Sequence, residues 1–426
     1  MACRPPPRFT QRHHTHVCAT RDHMCSQGEQ GVNDDAYQGG FDARERSILP
    51  PILMVIFVDT LGYAAVVPLI PFVLREQHAP FAAVGVVFAA FSLCQLATAP
   101  LLGRLSDRVG RRPVLAFSLV GSVVGFALLA ASSAFPIVLL SRVIDGSSAG
   151  NVAMCYAAVL DGADESTRRH GIPALGAAAG GGLVVGLGLS AFLAGFGFRA
   201  VALAAMLLSL LSLVLTIVAV PETRREASPN REVSVALHLR ETWRAVGFVA
   251  VCAALQAAFL FTLPVYFASA LRLHAQATTA LIALLVVVAA VFQLVALPRL
   301  LSFLGATTTA RLLLAVALCT AAFVATITGG ATAVVITAAL LTVAIAALAP
   351  ISTLLLAERS SDMSVGFIMG INTSSATVGQ IIGPITGYAA FALGGSRALG
   401  LSWVALALGA AGILGIRTWL KGRTRA

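Results

Sequence analysis

Long apolar runs broken by short polar or glycine-rich stretches recur from residue 48 to residue 418. A run of roughly twenty apolar residues crosses a bilayer once as a helix, because in lipid every backbone amide must find its partner within its own segment. The pattern predicts twelve such helices, over 48–74, 81–102, 114–132, 135–160, 172–196, 200–220, 246–271, 278–297, 308–328, 331–357, 364–393 and 398–418. A polar interval near the middle divides them into two sets of six. The expected organisation is a tail over 1–47, a six-helix half over 48–220, a linker over 221–245, a second six-helix half over 246–418 and a short tail over 419–426.

Composition agrees with an all-α membrane protein. The chain is 58% hydrophobic and only 11% charged, with a mean hydropathy of +0.88, whereas soluble domains carry about a quarter charged residues. Of its 29 Lys and Arg, 24 fall on one side of the predicted topology, in the tails and the loops on the same side; Arg75, Arg199, Arg272 and Arg397 fall on the other, and Arg142 within a span. Cations accumulate on the cytoplasmic side of membrane spans. Both termini are therefore expected in the cytoplasm, in a multi-pass protein of the cell's inner (plasma) membrane. The net charge of +10 follows from topology and calls for no nucleic-acid partner.

The tail carries Cys3, Cys18 and Cys25 with His13, His14, His16 and His23, a spacing that fits no standard zinc pattern. No metal is expected there, and the tail reads as solvated and disordered. Cys94, Cys155, Cys252 and Cys319 lie in predicted spans, and an odd total of seven makes no disulfide framework. The first residues lack the apolar core of a cleavable signal, so insertion is expected to begin at the first span, with Met1 or Met24 as the start.

The densest charge lies in Gly103–Pro113, where Arg104, Asp107, Arg108, Arg111 and Arg112 are framed by Gly103, Gly110 and Pro113. It reads as a tight turn between two spans, its glycines allowing close backbone approach. Asp107, its one anion, gains energy beside a helix N-terminus. Residues 297–305 align with 102–110 but carry Ser302 in place of Asp107.

Inside the spans ionisable groups are few, and such groups are expensive unless they face water or a partner. Asp59 stands in the first span with Tyr63 one turn along; a charge at the headgroups is the bland alternative. Arg142 and Asp145, three residues apart in the fourth span, share a helix face and can neutralise each other, as a proton-linked pair or as a structural one. Arg142 is also a candidate partner for Asp59. Apart from Arg311 at the start of the ninth, predicted spans seven to eleven hold no Asp, Glu, Lys, Arg or His; their polar candidates are Gln256, Tyr266, Gln293, Asn372 and Gln380. With Tyr63 and Gln95 these are the candidate wall of a cavity suited to a large, partly apolar small molecule. Gly182 and Gly186, and in the second half Gly379, Gly383, Pro384 and Gly387, have the spacing of closely packed helices. The phosphate-binding pattern GxxxxGK[ST] is absent, which removes ATP as a direct energy source.

The run Gly103, Leu105, Asp107, Arg108, Gly110, Arg111, Arg112, Pro113 resembles the signature loop of the major facilitator superfamily. Asp59, Gly62, Pro68 and Pro71 resemble the first-helix motif of its twelve-span drug:proton antiporter branch, tetracycline exporters among them. Arg142–Gly146 resembles that family's R-x-x-Q-G with Asp145 for glutamine. The fifth span lacks the proline of the antiporter motif G-x-x-x-G-P-x-x-G-G, which 379–387 retains in better form, and Pro221-Glu222-Thr223 is a common family ending for span six. The resemblance implies two pseudo-symmetric six-helix halves that rock about a central cavity, protons entering as substrate leaves. It implies a monomer driven by the proton gradient, without enzymatic activity or cofactor. Asp59, Arg142 and Asp145 would couple protons, while the 103–112 residues would latch against the start of span eleven at Asp362–Ser364. Proton-coupled uptake stays open because of the eroded fifth-span motif. A non-transporting sensor or scaffold is the third reading, and the intramembrane charges count against it.

Overall fold

The computed structural model describes residues 48–162, 165–222, 235–326, 330–357 and 365–423. The expectations for the cysteines and histidines of the tail and for Asp362–Ser364 lie outside these residues. Every regular element among the described residues is helical. Among the described residues nine segments are long and apolar enough to cross a membrane, and large apolar side chains such as Leu211, Val218 and Leu294 are exposed on the bundle's outside, where hydrocarbon replaces water.

In chain order, α1 (Leu49–Val66) passes through a 3-10 turn at Val67–Leu69 into α2 (Ile70–Glu76). Pro68 and Pro71 cause the change, since each lacks the N–H that would continue the α ladder. Then come α3 (Phe81–Val109), α4 (Arg111–Ala131), α5 (Phe135–Ser148), α6 (Asn151–Gly162), α7 (Glu165–Leu193) and α8 (Phe198–Ala219). The second half follows with α9 (Val235–Ala270), α10 (Ala275–Val291), a π-turn at Phe292–Ala296, α11 (Leu297–Thr326), α12 (Ala331–Ala357) and α13 (Val365–Arg423). Two of these are folded within: α11 breaks at Gly305, and α13 at Gly394 and Gly395.

Four expectations are corrected here. The fourth span is not one helix: Ala149, with ψ near 72°, ends α5, and α6 restarts at Asn151. The charged stretch is mostly not a turn, because α3 runs on to Val109 and Gly110 alone, with φ 115°, reverses the chain into α4. Gly103 makes no close approach, having nothing within 4 Å of where a side chain would start. Part of the expected linker is helical, since α9 begins at Val235; charged residues continue a helix into water as readily as they end one.

The two halves repeat one another at their corners. Among the described residues the left-handed region is occupied by His78 and Arg272, by Gly110 and Gly305, and by Gly197 and Gly395. Each pair joins equivalent places, after the first helix of a half, after its second and after its fifth. Packing repeats as well. A side chain at Gly182 or Gly186 of α7 would strike the carbonyls of Phe57 and Leu61 on α1, and one at Gly379 or Gly383 of α13 would strike those of Ala250 and Ala254 on α9. Between halves, α3 packs on α13 and α7 on α10. At the His78 end the junction is aromatic: Phe81 meets Phe391 at 4.7 Å, Phe88 stacks on Phe261 at 4.4 Å, and the Tyr388 hydroxyl donates to the Phe261 carbonyl at 2.6 Å.

Candidate functional site

A cavity of about 450 Å³ lies between the halves, walled by α1, α7, α9, α10 and α12 together with the 3-10 turn and the π-turn. This is within the usual size range of small-molecule sites. Three prolines, Pro68, Pro264 and Pro350, line it, and Phe259 and Phe261 give it aromatic surface. No Asp, Glu, Lys, Arg or His is among its lining residues. Its polar groups are Tyr63, Gln256, Gln293 and Thr342, and the Thr342 hydroxyl is spent on the Ala338 carbonyl of its own helix at 2.6 Å.

Of the candidates, Tyr63, Gln256 and Gln293 line this cavity and four others do not. Gln95 donates to the Ala149 carbonyl at 3.4 Å, at the break between α5 and α6. Tyr266 is buried against Phe267 and Trp403, with ring centroids 5.9 Å apart in both pairs. Asn372 accepts from the Thr353 hydroxyl at 3.2 Å. Gln380 lies on α13, which contributes nothing to the wall. Gln95, Tyr266 and Asn372 each face another helix rather than the interior space, a distinction that residue type does not carry.

The buried charges sit beside the cavity in the first half. Asp59 is half-buried on α1, and its two carboxylate oxygens each accept from Asn151 Nδ2 at 3.0 Å. Arg142 is not its partner: Arg142 Nη1 binds Asp145 Oδ2 at 3.1 Å, with both side chains almost fully buried. Ser122 donates to the other Asp145 oxygen at 2.8 Å, and the Phe126 ring lies 5.4 Å from the guanidinium carbon. Two carboxylates are thus held differently, one by a cation and one by a neutral amide. Tyr63 lies one turn from Asp59, within electrostatic reach of Arg142 and Asp145, and its ring contacts Phe91 at 5.6 Å. Asn151 was not foreseen; the signal was the Gly150-Asn151 pair, which breaks the helix and aims the first side chain of the new one at Asp59.

At the Gly110 end, Arg111 gathers the charged stretch. It binds Asp107 at 2.7 Å and Asp161 at 2.8 Å, reaches the Ser106 hydroxyl, and its backbone N–H donates to Glu222 at 2.8 Å. Arg112 donates to the Ile217 carbonyl. Among the described residues these contacts tie α3 and α4 to α6 and to the end of α8, all within the first half. Asp107 is 54% exposed. Arg108 has no ion pair in this group, and no cluster of metal-ligating side chains occurs among the described residues.

The model of the Major Facilitator Superfamily matches residues 52–349. The class E tetracycline resistance protein of Escherichia coli is 37% identical over 137 residues, 32% of this chain. That match spans only about a third of the relative's length, 34%. Multidrug resistance protein 2 of Bacillus subtilis is 26% identical over 357 residues, covering 80% of this chain and 88% of that protein. The crystal structure of the human organic anion transporter MFSD10 (TETRAN) superposes with a TM-score of 0.67 at 21% identity, over 87% of this chain and 99% of that one. The match runs over most of an all-helical bundle that encloses this cavity between its halves, and the chain belongs to the Major Facilitator Superfamily.

Proposed function

We propose that the protein is a proton-coupled exporter of a small, partly apolar molecule. It crosses the inner membrane twelve times, as a monomer with both termini in the cytoplasm, and works by alternating access. The observation that carries this reading is the Asp59 carboxylate, held among the described residues by the neutral Asn151 amide and one turn from Tyr63 in the wall of an uncharged cavity. Protonated, such a group tolerates an apolar surround; ionised, it needs water or a cation, so its charge state biases which form of the protein is favoured. Arg142 is already engaged by Asp145, which leaves Asp59 free to respond to the proton alone. The halves 48–220 and 246–418 are the moving bodies, joined by 221–245. With the His78 end outward, as the scarcity of cations there favours, Arg75, Arg199, Arg272 and Arg397 against 24 on the other side, the aromatic junction there shuts the outer side. Tetracycline and multidrug resistance relatives support export.

Proton-coupled uptake is the second reading, favoured by the fifth helix, where Gly182–Ala191 lacks the antiporter proline. Vesicles with an imposed pH gradient separate the two by the direction in which substrate moves. In the same vesicles Asp59→Asn is expected to bind and exchange substrate but to lose gradient-driven accumulation. Accumulation at the wild-type rate would place the coupling proton elsewhere.

A further inference from the structure

Gln293 sits in the π-turn Phe292–Ala296 that interrupts the helix between α10 and α11, and such single-turn bulges concentrate at functional sites. Its Nε2 donates to the Ala346 carbonyl at 2.7 Å. In a regular helix that carbonyl would accept the N–H of residue 350, but residue 350 is proline and has none. The side chain of one helix thus completes the backbone of another. Only the nitrogen of an amide can face a carbonyl oxygen, so the bond fixes which way round the amide lies and leaves Oε1 for another partner. No described residue donates to that oxygen, and Gln293, Ala346 and Pro350 all line the cavity. Gln95, on the equivalent helix of the first half though three places out of register with Gln293, makes a similar bond to Ala149 at 3.4 Å but does not face the cavity. The pairing is common to both halves; the exposed acceptor belongs to the second alone.

We propose that Gln293 determines specificity, and that the cavity takes uncharged molecules which donate a hydroxyl or amide N–H to its Oε1. This rests on the transporter reading above and narrows its substrate class. An ion entering this wall would lose its water and meet no counter-charge, which burial penalises heavily. An apolar molecule with one donor loses little, because the oxygen that awaits it is otherwise unpaired.

Two measurements on the purified full-length protein test this. The first is a thermal-stability cycle that needs no ligand, using Gln293→Met, Pro350→Ala and the double variant. Alanine at 350 supplies the missing N–H to Ala346, so Gln293→Met should lower the midpoint clearly in the parent and scarcely at all beside Pro350→Ala. Equal shifts in both backgrounds overturn the orienting role. The second is binding of a panel of anionic, cationic and neutral antibiotics and dyes, each neutral compound paired with its O- or N-methylated form. Neutral donors should bind best, and either methylation or Gln293→Met should weaken them about tenfold, with no further loss when both are combined. A preference for ions, or equal binding of the methylated forms, overturns the substrate class. A panel with no binder of any kind counts against the transporter reading instead, while the stability cycle still decides how Gln293 is held.

Discussion

Replacing Asp145 by glutamine, the residue that the family motif carries at that position, should destabilise this protein rather than normalise it. The substitution leaves Arg142, 1% exposed, with the Ser141 hydroxyl at 3.3 Å and the Phe126 ring as its remaining contacts. At the observed 3.1 Å separation, and with an effective dielectric constant near 20, the lost attraction is about 5 kcal/mol. Removing one partner of a buried pair costs about 3–5 kcal/mol in practice. Asp145→Gln and Arg142→Met should each therefore lose about 3–5 kcal/mol in denaturant unfolding in micelles followed by circular dichroism. The double variant should come back to within about 1 kcal/mol of the parent, because it buries no unpaired charge. A single variant as stable as the parent, or a double variant whose loss equals the two singles added, would refute the pairing argument. The two groups would then belong with Asp59 in the proton path, and transport would be the property that suffers.

Two further outcomes are expected. Gly383→Ala drives a methyl into the Ala254 carbonyl and the Ala258 N–H and should cost about 1–3 kcal/mol, whereas Gly103→Ala, in open space within a helix, should be neutral or stabilise by up to about 1 kcal/mol; thermal midpoints in detergent separate the two. Asp107→Asn removes an exposed ion pair to Arg111 and should change stability by less than about 1 kcal/mol; a loss of several kcal/mol, or cysteine accessibility at the Gly110 end that is altered without any change in the Arg111 contacts, would show that Asp107 reaches beyond its own half.

The apolar runs made the helices legible, because in lipid the backbone has no alternative, and Pro68 and Pro71 marked the loosened turns that follow α1. What residue identity could not tell was direction. Gln95 and Gln293 are the same amide on equivalent helices, each bonded to a carbonyl of the helix opposite, yet only Gln293 faces the cavity. Asp59 stood out as a lone carboxylate, but its partner was a neutral asparagine ninety-two positions away, visible only once the broken fourth span lies against the first. Charge attraction suggested Arg142; proximity along the helix gave Arg142 to Asp145. The charged stretch after Gly103 looked like a loop because polar residues at a membrane surface are compatible with either a loop or the wet end of a helix, and only Gly110 carries the conformation that a reversal needs.

The recurrence of left-handed corners, His78 with Arg272, Gly110 with Gly305 and Gly197 with Gly395, bears on ancestry. A chain that turns at the same three places twice, and whose halves meet through α3 on α13 and α7 on α10, has the geometry of a two-fold dimer of a half-length protein written into one gene. In such a dimer every buried charge would have come in duplicate. Here they do not: among the described residues Asp59, Arg142 and Asp145 all stand in the first half, while the second offers an uncharged amide oxygen to the shared interior.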